Sequence, residues 1–139
     1  MFIVHGHDKT KRFELKDFLT QLGLQALVLD EQDDLGMTII EKFEHYATTC
    51  SFAFVLMTPD DLTAGTKETG SRQRARQNVI MELGWFMAYL GRDRVIILGH
   101  GELEIPSDIH GVVYVEFKNS IYEISERIRQ RLRGMGLIS

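Results

Sequence analysis

Apolar residues along the chain fall into two patterns: short unbroken runs, and longer stretches in which they recur every three or four positions. The runs read as strands covered on both faces, and the periodic stretches as amphipathic helices. The first run is Phe2–Val4. Leu15, Phe18, Leu19 and Leu22 then follow at the i, i+3, i+4, i+7 spacing of a helix, stopped by Gly23, which tolerates the positive φ of a helix end. Residues 26–29 make a second run. An acidic loop, 30–37, separates it from Thr38 and Glu41, whose spacing is that of a capping box opening a helix that carries Ile39, Phe43 and Tyr46. Residues 52–57 are apolar without alternation, as expected of a central parallel strand.

Residues 58–72 are polar and broken by Pro59, Gly65 and Gly70, a longer connection than two adjacent elements need. The helix that follows, 74–90, carries a continuous apolar stripe of Val79, Leu83, Phe86, Met87 and Leu90, ending near Gly91. Residues 95–98 and 112–117 are the fourth and fifth runs, the latter preceded by a turn-rich piece with Pro106 and Gly111. Ser120 and Glu123 repeat the capping-box spacing ahead of a last helix whose core face is Ile121, Ile124, Ile128 and Leu132. Arg127, Arg129, Arg131 and Arg133 gather toward its carboxyl end, where the helix dipole favours cations, and read as a solvated face. Strands alternating with helices imply an α/β fold, a flavodoxin-like three-layer sandwich with a five-stranded parallel sheet of order 2-1-3-4-5. Ligands of such sheets bind beyond the carboxyl ends of the strands, which directs attention to the residues after Val4, Leu29, Met57, Leu98 and Phe117.

Composition narrows the picture. The chain has 139 residues, enough for one domain spanning 1–139. Its formal charge of −4 offers no basic field for nucleic acid or an anionic membrane, so neither is an expected partner. Its one cysteine, Cys50, cannot form an internal disulfide, and no export signal precedes the first run, so a cytoplasmic location is expected. No apolar run is long enough to span a bilayer.

The strand ends hold several candidates for chemistry. Gly6 follows the first strand without a G-x-G-x-x-G or a Walker-type loop, which disfavours a Rossmann dehydrogenase or a P-loop enzyme. His5, His7, Asp8, His100 and His110 are formally metal-ligating types, but they lack the paired spacing of a metal site, and backbone-bonded loop histidines are the expectation, with no metal. Asp60 after the third strand and Lys118 after the fifth follow the charge layout of a phosphoacceptor receiver, yet the paired acids at the end of the first strand are missing. Glu82 lies about 40° around its helix from Phe86, at the edge of the apolar stripe, between Asn78 and Trp85 on the same side. Spacing alone leaves it open whether Glu82 is a partly buried reactive carboxylate or a rim acid paired with a nearby arginine.

Four blocks, taken together, carry a resemblance: Phe2-Ile3-Val4-His5-Gly6-His7-Asp8, Thr58-Pro59-Asp60-Asp61, Arg74 through Asn78 and Val79 to Glu82-Leu83-Gly84, and Pro106-Ser107-Asp108-Ile109. In order and content they resemble the bacterial Toll/interleukin-1 receptor-like (TIR) domains, which are often joined to a STING-like cyclic-dinucleotide sensor of anti-phage defence. The resemblance implies cleavage of NAD+ between nicotinamide and ribose, with NAD+ as substrate and no cofactor, and it gives Glu82 the catalytic role. By motif position it implies substrate contacts from Phe2, His5, Gly6, Thr58, Asp60, Arg74, Arg76, Asn78, Trp85 and Asp108. It further implies self-association through TIR–TIR contacts, with loop 30–37 as an interface loop, and a STING-like sensor domain in the full-length protein. A non-catalytic TIR adaptor, or a receiver-like switch using Asp60, are the alternatives that fold likeness leaves open.

Overall fold

A computed structural model describes residues 1–59, 77–101, 103 and 111–139. Within them β1 (Phe2–Val4), β2 (Leu27–Val28), β3 (Ala53–Met57), β4 (Val95–His100) and β5 (Val113–Phe117) form a parallel sheet in the order β2-β1-β3-β4-β5. Register places Phe2 beside Ala53, Val55 beside Ile97, and Met57 beside Gly99. The sheet is the expected one, and β3, buried along its whole length, sits at its centre.

Alternation along the strands divides the core in two. One face carries Ile3, Phe54, Leu56, Ile96, Leu98 and Phe117 and is covered by helix α1 (Lys9–Gln21) and by the final helix α4 (Ser125–Gly134). The other carries Phe2, Val4, Val55, Met57, Val95 and Ile97, covered by α2 (Ile39–Ala47) and α3 (Gln77–Leu90). Crossover helices run back against their strands, so α2 and α3 begin near the carboxyl ends of the strands.

Local chemistry sets the helix ends. Asp8 caps α1 by accepting from the Lys11 amide at 2.9 Å, and the helix stops at Leu22 and Gly23, the latter at φ +80°. Both capping boxes form: Thr38 and Glu41 bond reciprocally at the start of α2, and Ser120 and Glu123 do so after β5.

The structure departs from the sequence reading in detail. The second strand is only two residues, because Leu29–Glu31 wind into a 3-10 turn, whereas β4 runs on to His100. The last helix opens as a 3-10 turn, Ile121–Ile124, since Glu123 draws the amides of Lys118, Asn119 and Ser120 into one tight corner. Its arginine row is only partly solvated: the Arg129 guanidinium lies 5.1 Å over the Phe18 ring, and Arg131 donates to the Asp93 carbonyl at 3.0 Å. Gly99 is fixed by a close approach, because the Tyr114 hydroxyl lies 1.9 Å from where a Cβ would stand.

Bonds from the Lys118 amide first, then from Asn119 and Ser120, hold the Glu123 carboxyl below its ordinary value of 4.5. A carboxylate with a depressed folded pKa adds stability that is complete above the unfolded value and lost as pH falls through the folded one. Glu123→Gln is therefore expected to lower stability at pH 7 and to flatten its decline below about pH 4.5, as read by denaturant titrations from pH 7 to pH 3.

Candidate active site

On the face of the sheet covered by α2 and α3, aromatic rings pack together at the level where β1 and β3 begin. Phe2 of β1 meets Phe86 of α3 at 4.9 Å and Phe43 of α2 at 5.6 Å, and Phe43 meets Phe86 edge to face at 5.6 Å. Trp85 closes the outer side, 5.1 Å from Phe43 and 4.8 Å from Tyr89, whose hydroxyl donates to the Thr48 carbonyl past the end of α2. Edge-to-face and offset pairs of this kind have directional preferences, so they fix how α3 turns about its axis.

That orientation positions Glu82. It precedes Phe86 by one turn and Trp85 by three residues, so it stands above the aromatic floor, toward the rim, on the side of α3 that faces α2 and β1. It is half-buried, as its place at the edge of the stripe implied. A half-buried carboxylate feels fixed charges and dipoles more strongly than a solvated one.

The other expected site residues scatter in their accessibility. His5 continues β1 and is half-buried; its Nδ1–H donates to the Gly6 carbonyl at 2.7 Å, and its Nε2 faces the Asp30 carboxylate at 3.8 Å. Gly6 and Thr58 are buried at the ends of β1 and β3. Asn78, one turn before Glu82, is exposed, and Trp85 is half-buried with its ring engaged by Phe43, Phe86 and Tyr89. Phe2 is fully buried, its ring held between Phe43 and Phe86, so its side chain supports the site from below. Asp60, Arg74, Arg76, Asp108 and His110 lie outside the described residues. His100, at the end of β4, stacks on Phe117 at 4.9 Å and bonds through Nε2 to the Lys118 carbonyl at 2.9 Å, so both described strand-end histidines at positions 5 and 100 bond backbone.

The acidic loop is tied down along its length. Asp30 pairs with Arg12 at 3.4 Å, Glu31 pairs with Lys16, Asp34 pairs with Lys42 at 2.7 Å, and the Asp33 carbonyl accepts from the Tyr46 hydroxyl at 2.9 Å. Past these anchors Leu35 adopts φ +54°, a conformation costly for a branched side chain, and is exposed. Sequence reasoning did not single out Phe43 as the hinge of the aromatic floor, nor the exposure of Ile39. The available signal for the first was Phe43 on the apolar stripe of its helix, together with Phe86 and Trp85 on the next.

Known proteins place the chain. Residues 1–119 match the family model for the CAP12/Pycsar effector protein, TIR domain. The chain belongs to this family. Relatives of this TIR domain include the uncharacterized protein YuaY of Escherichia coli K12, 48% identical over 116 residues that make up 84% of the chain and 39% of YuaY. Protein tirC of Dictyostelium discoideum is 33% identical, with 92% of the chain and 69% of tirC aligned. The Pycsar effector protein PaPycTIR of Pseudomonas aeruginosa is 35% identical over 57% of the chain and 26% of its own length. The TIR domain thus spans about two fifths of YuaY and about a quarter of the Pycsar effector.

Removing the ring at the centre of the floor separates packing from chemistry. Phe43→Ala is expected to cost about 3–5 kcal/mol in urea unfolding and to shift the emission of Trp85, the single tryptophan, toward that of a wetter indole. Unchanged stability and emission would show that the floor does not hold α3.

Proposed function

We propose that this TIR domain cleaves NAD+ at the bond between nicotinamide and ribose, as the effector module of a nucleotide-sensing anti-phage defence protein. The observation that carries the reading is the half-buried Glu82 carboxylate, one turn from Phe86 toward the carboxyl ends of the strands, in a member of the CAP12/Pycsar TIR family. Membership supports the effector class, and the name of the Pycsar relative supports the defence setting.

The chemistry asks little of the protein beyond electrostatics. Breaking the C1′–N bond returns the electron pair to the pyridinium nitrogen, so nicotinamide departs neutral and needs no proton. The ribose is left with oxocarbenium character, the same kind of charge that develops in glycoside cleavage. Glu82 stabilises that charge or holds the ribose hydroxyls, and the partial dryness of its position strengthens the attraction. Water then adds at C1′ and releases a proton, giving ADP-ribose; attack by the substrate's own adenine gives a cyclic product instead.

Around this centre His5 presents its imidazole at the end of β1, Gly6 lets the backbone approach the substrate, Thr58 shapes the end of β3, and Asn78 and Trp85 flank the carboxylate on α3. Arg74, Arg76, Asp60 and Asp108, carried by the family resemblance, are assigned to phosphate and ribose contacts. Activation follows from self-association: neighbouring copies, gathered by a STING-like or other cyclic-nucleotide sensor in the full-length protein, complete and order the pocket.

The test is release of nicotinamide from NAD+ by concentrated and artificially clustered protein. Glu82→Gln preserves size and hydrogen bonding while removing charge, and it is expected to lower turnover by about 10² or more with unchanged unfolding. Equal turnover by Glu82→Gln removes the catalytic assignment, and complete inertness of clustered wild-type protein assigns the domain to the adaptor class.

A further inference from the structure

Helix α3 is apolar nearly all the way round, although one side of it is open to solvent. Over Gln77–Leu90 the one charged residue is Glu82, in a chain that is 26% charged. Val79, Leu83 and Phe86 enter the core, yet Met81 is 50% exposed and Tyr89 49%, with Gly84 and Ala88 exposed beside them. A helix that lacks a polar face is ordinarily one covered on every side.

The open side has relief. Gln77, Met81, Trp85 and Tyr89 follow at steps of four and stand as a ridge, while Gly84 and Ala88, three residues on from Met81 and Trp85, make the shallow row beside it. A glycine inside a helix weakens it, and at Gly84 the fold of the chain gives no reason for one. Its φ is not positive, and nothing lies within 4 Å of where a Cβ would stand.

We infer that the outer face of α3 pairs with the same face of a second copy about a two-fold axis, the ridge of each helix lying in the shallow row of the other. Two features select a second copy as the occupant. A two-fold contact sets a surface against itself, so every charge on it meets its own sign, and this face carries none; a foreign partner of a protein with net charge −4 has charge to use. Ridge and row also lie side by side on one helix, which makes the face its own complement when two such helices cross at about −50°. The face of one helix falls short of the roughly 800 Å² per partner of a stable complex, so the pair is weak and forms where copies are concentrated. The inference deepens the self-association step of the proposed function. It rests on that reading only for its consequence, that the helix carrying Glu82 is gripped from both sides.

The test is sedimentation velocity over a concentration series without NAD+, with nicotinamide release followed separately on the same preparations. Wild-type protein is expected to pair with a Kd of about 0.1–1 mM. Ala88→Glu is expected to weaken pairing about tenfold or more, and a mixture of Ala88→Glu with Ala88→Lys to restore it, since opposite charges then meet across the axis. Gly84→Leu fills the shallow row and is expected to weaken pairing as much, while its thermal unfolding stays at or above that of wild type because the space around position 84 is open. Wild-type protein that stays monomeric at about 1 mM overturns the pairing. So do variants that associate like wild type, a mixture that does not recover, or a loss of association confined to Leu35→Glu, which would place the contact on loop 30–37. Pairing without release of nicotinamide leaves the inference standing and removes the cleavage reading, and release without pairing does the reverse.

Discussion

The geometry of the rim depends on one packing constraint, the mutual seating of Phe2, Phe43 and Phe86. These rings come from β1, α2 and α3, three elements distant in sequence, and all three are fully or almost fully buried. Each ring edge meets a neighbouring face, so sliding or rotating either helix breaks several favourable contacts together. The position of the Glu82 carboxylate is thus decided one turn away, by residues that never meet a ligand. A flexible acidic side chain gains a defined place because its helix has none of the freedom that its own χ angles possess.

A second constraint operates on the loop after β2. Asp30, Glu31 and Asp34 each face a cation supplied by α1 or α2, so a stretch that is acidic in sequence is largely neutralised where it folds. Such exposed pairs contribute little stability singly, and their effect here is positional. They draw the loop against α1 and leave the aliphatic segment from Leu35 to Ile40 standing outward, with the strained φ of Leu35 at its turn. Anchors on one side and exposed apolar residues on the other fit a surface that is covered when the protein works.

How much of this was legible in the sequence depends on the range of the interaction. Capping boxes at Thr38 and Ser120 were readable because both partners lie within one turn, and the sheet order was readable because unbroken apolar runs alternate with helical stripes. Periodicity placed Glu82 at the edge of its stripe, and the half-burial agrees. It failed for Ile39, because a period tells which side of a helix faces inward and says nothing of where along the axis the core ends. It failed again for Arg129, whose stacking over Phe18 joins α4 to α1 across more than a hundred residues. The burial of Phe2 was not legible either, because nearness to a strand end does not tell accessibility, and a three-residue strand turns its first side chain straight into the core. The chemical role of the carboxylate came from the ordered motif blocks, and nothing in spacing alone distinguishes it from a rim acid.

The central claim is that one acidic group on α3 faces the sugar cation formed as nicotinamide leaves. The most direct measurement is a crystal structure of the Glu82→Gln protein with NAD+ bound. The account predicts the nicotinamide ribose lodged against α3, its C1′ beside the residue 82 amide. A dinucleotide bound elsewhere, or seated there with residue 82 turned away from the ribose, contradicts it.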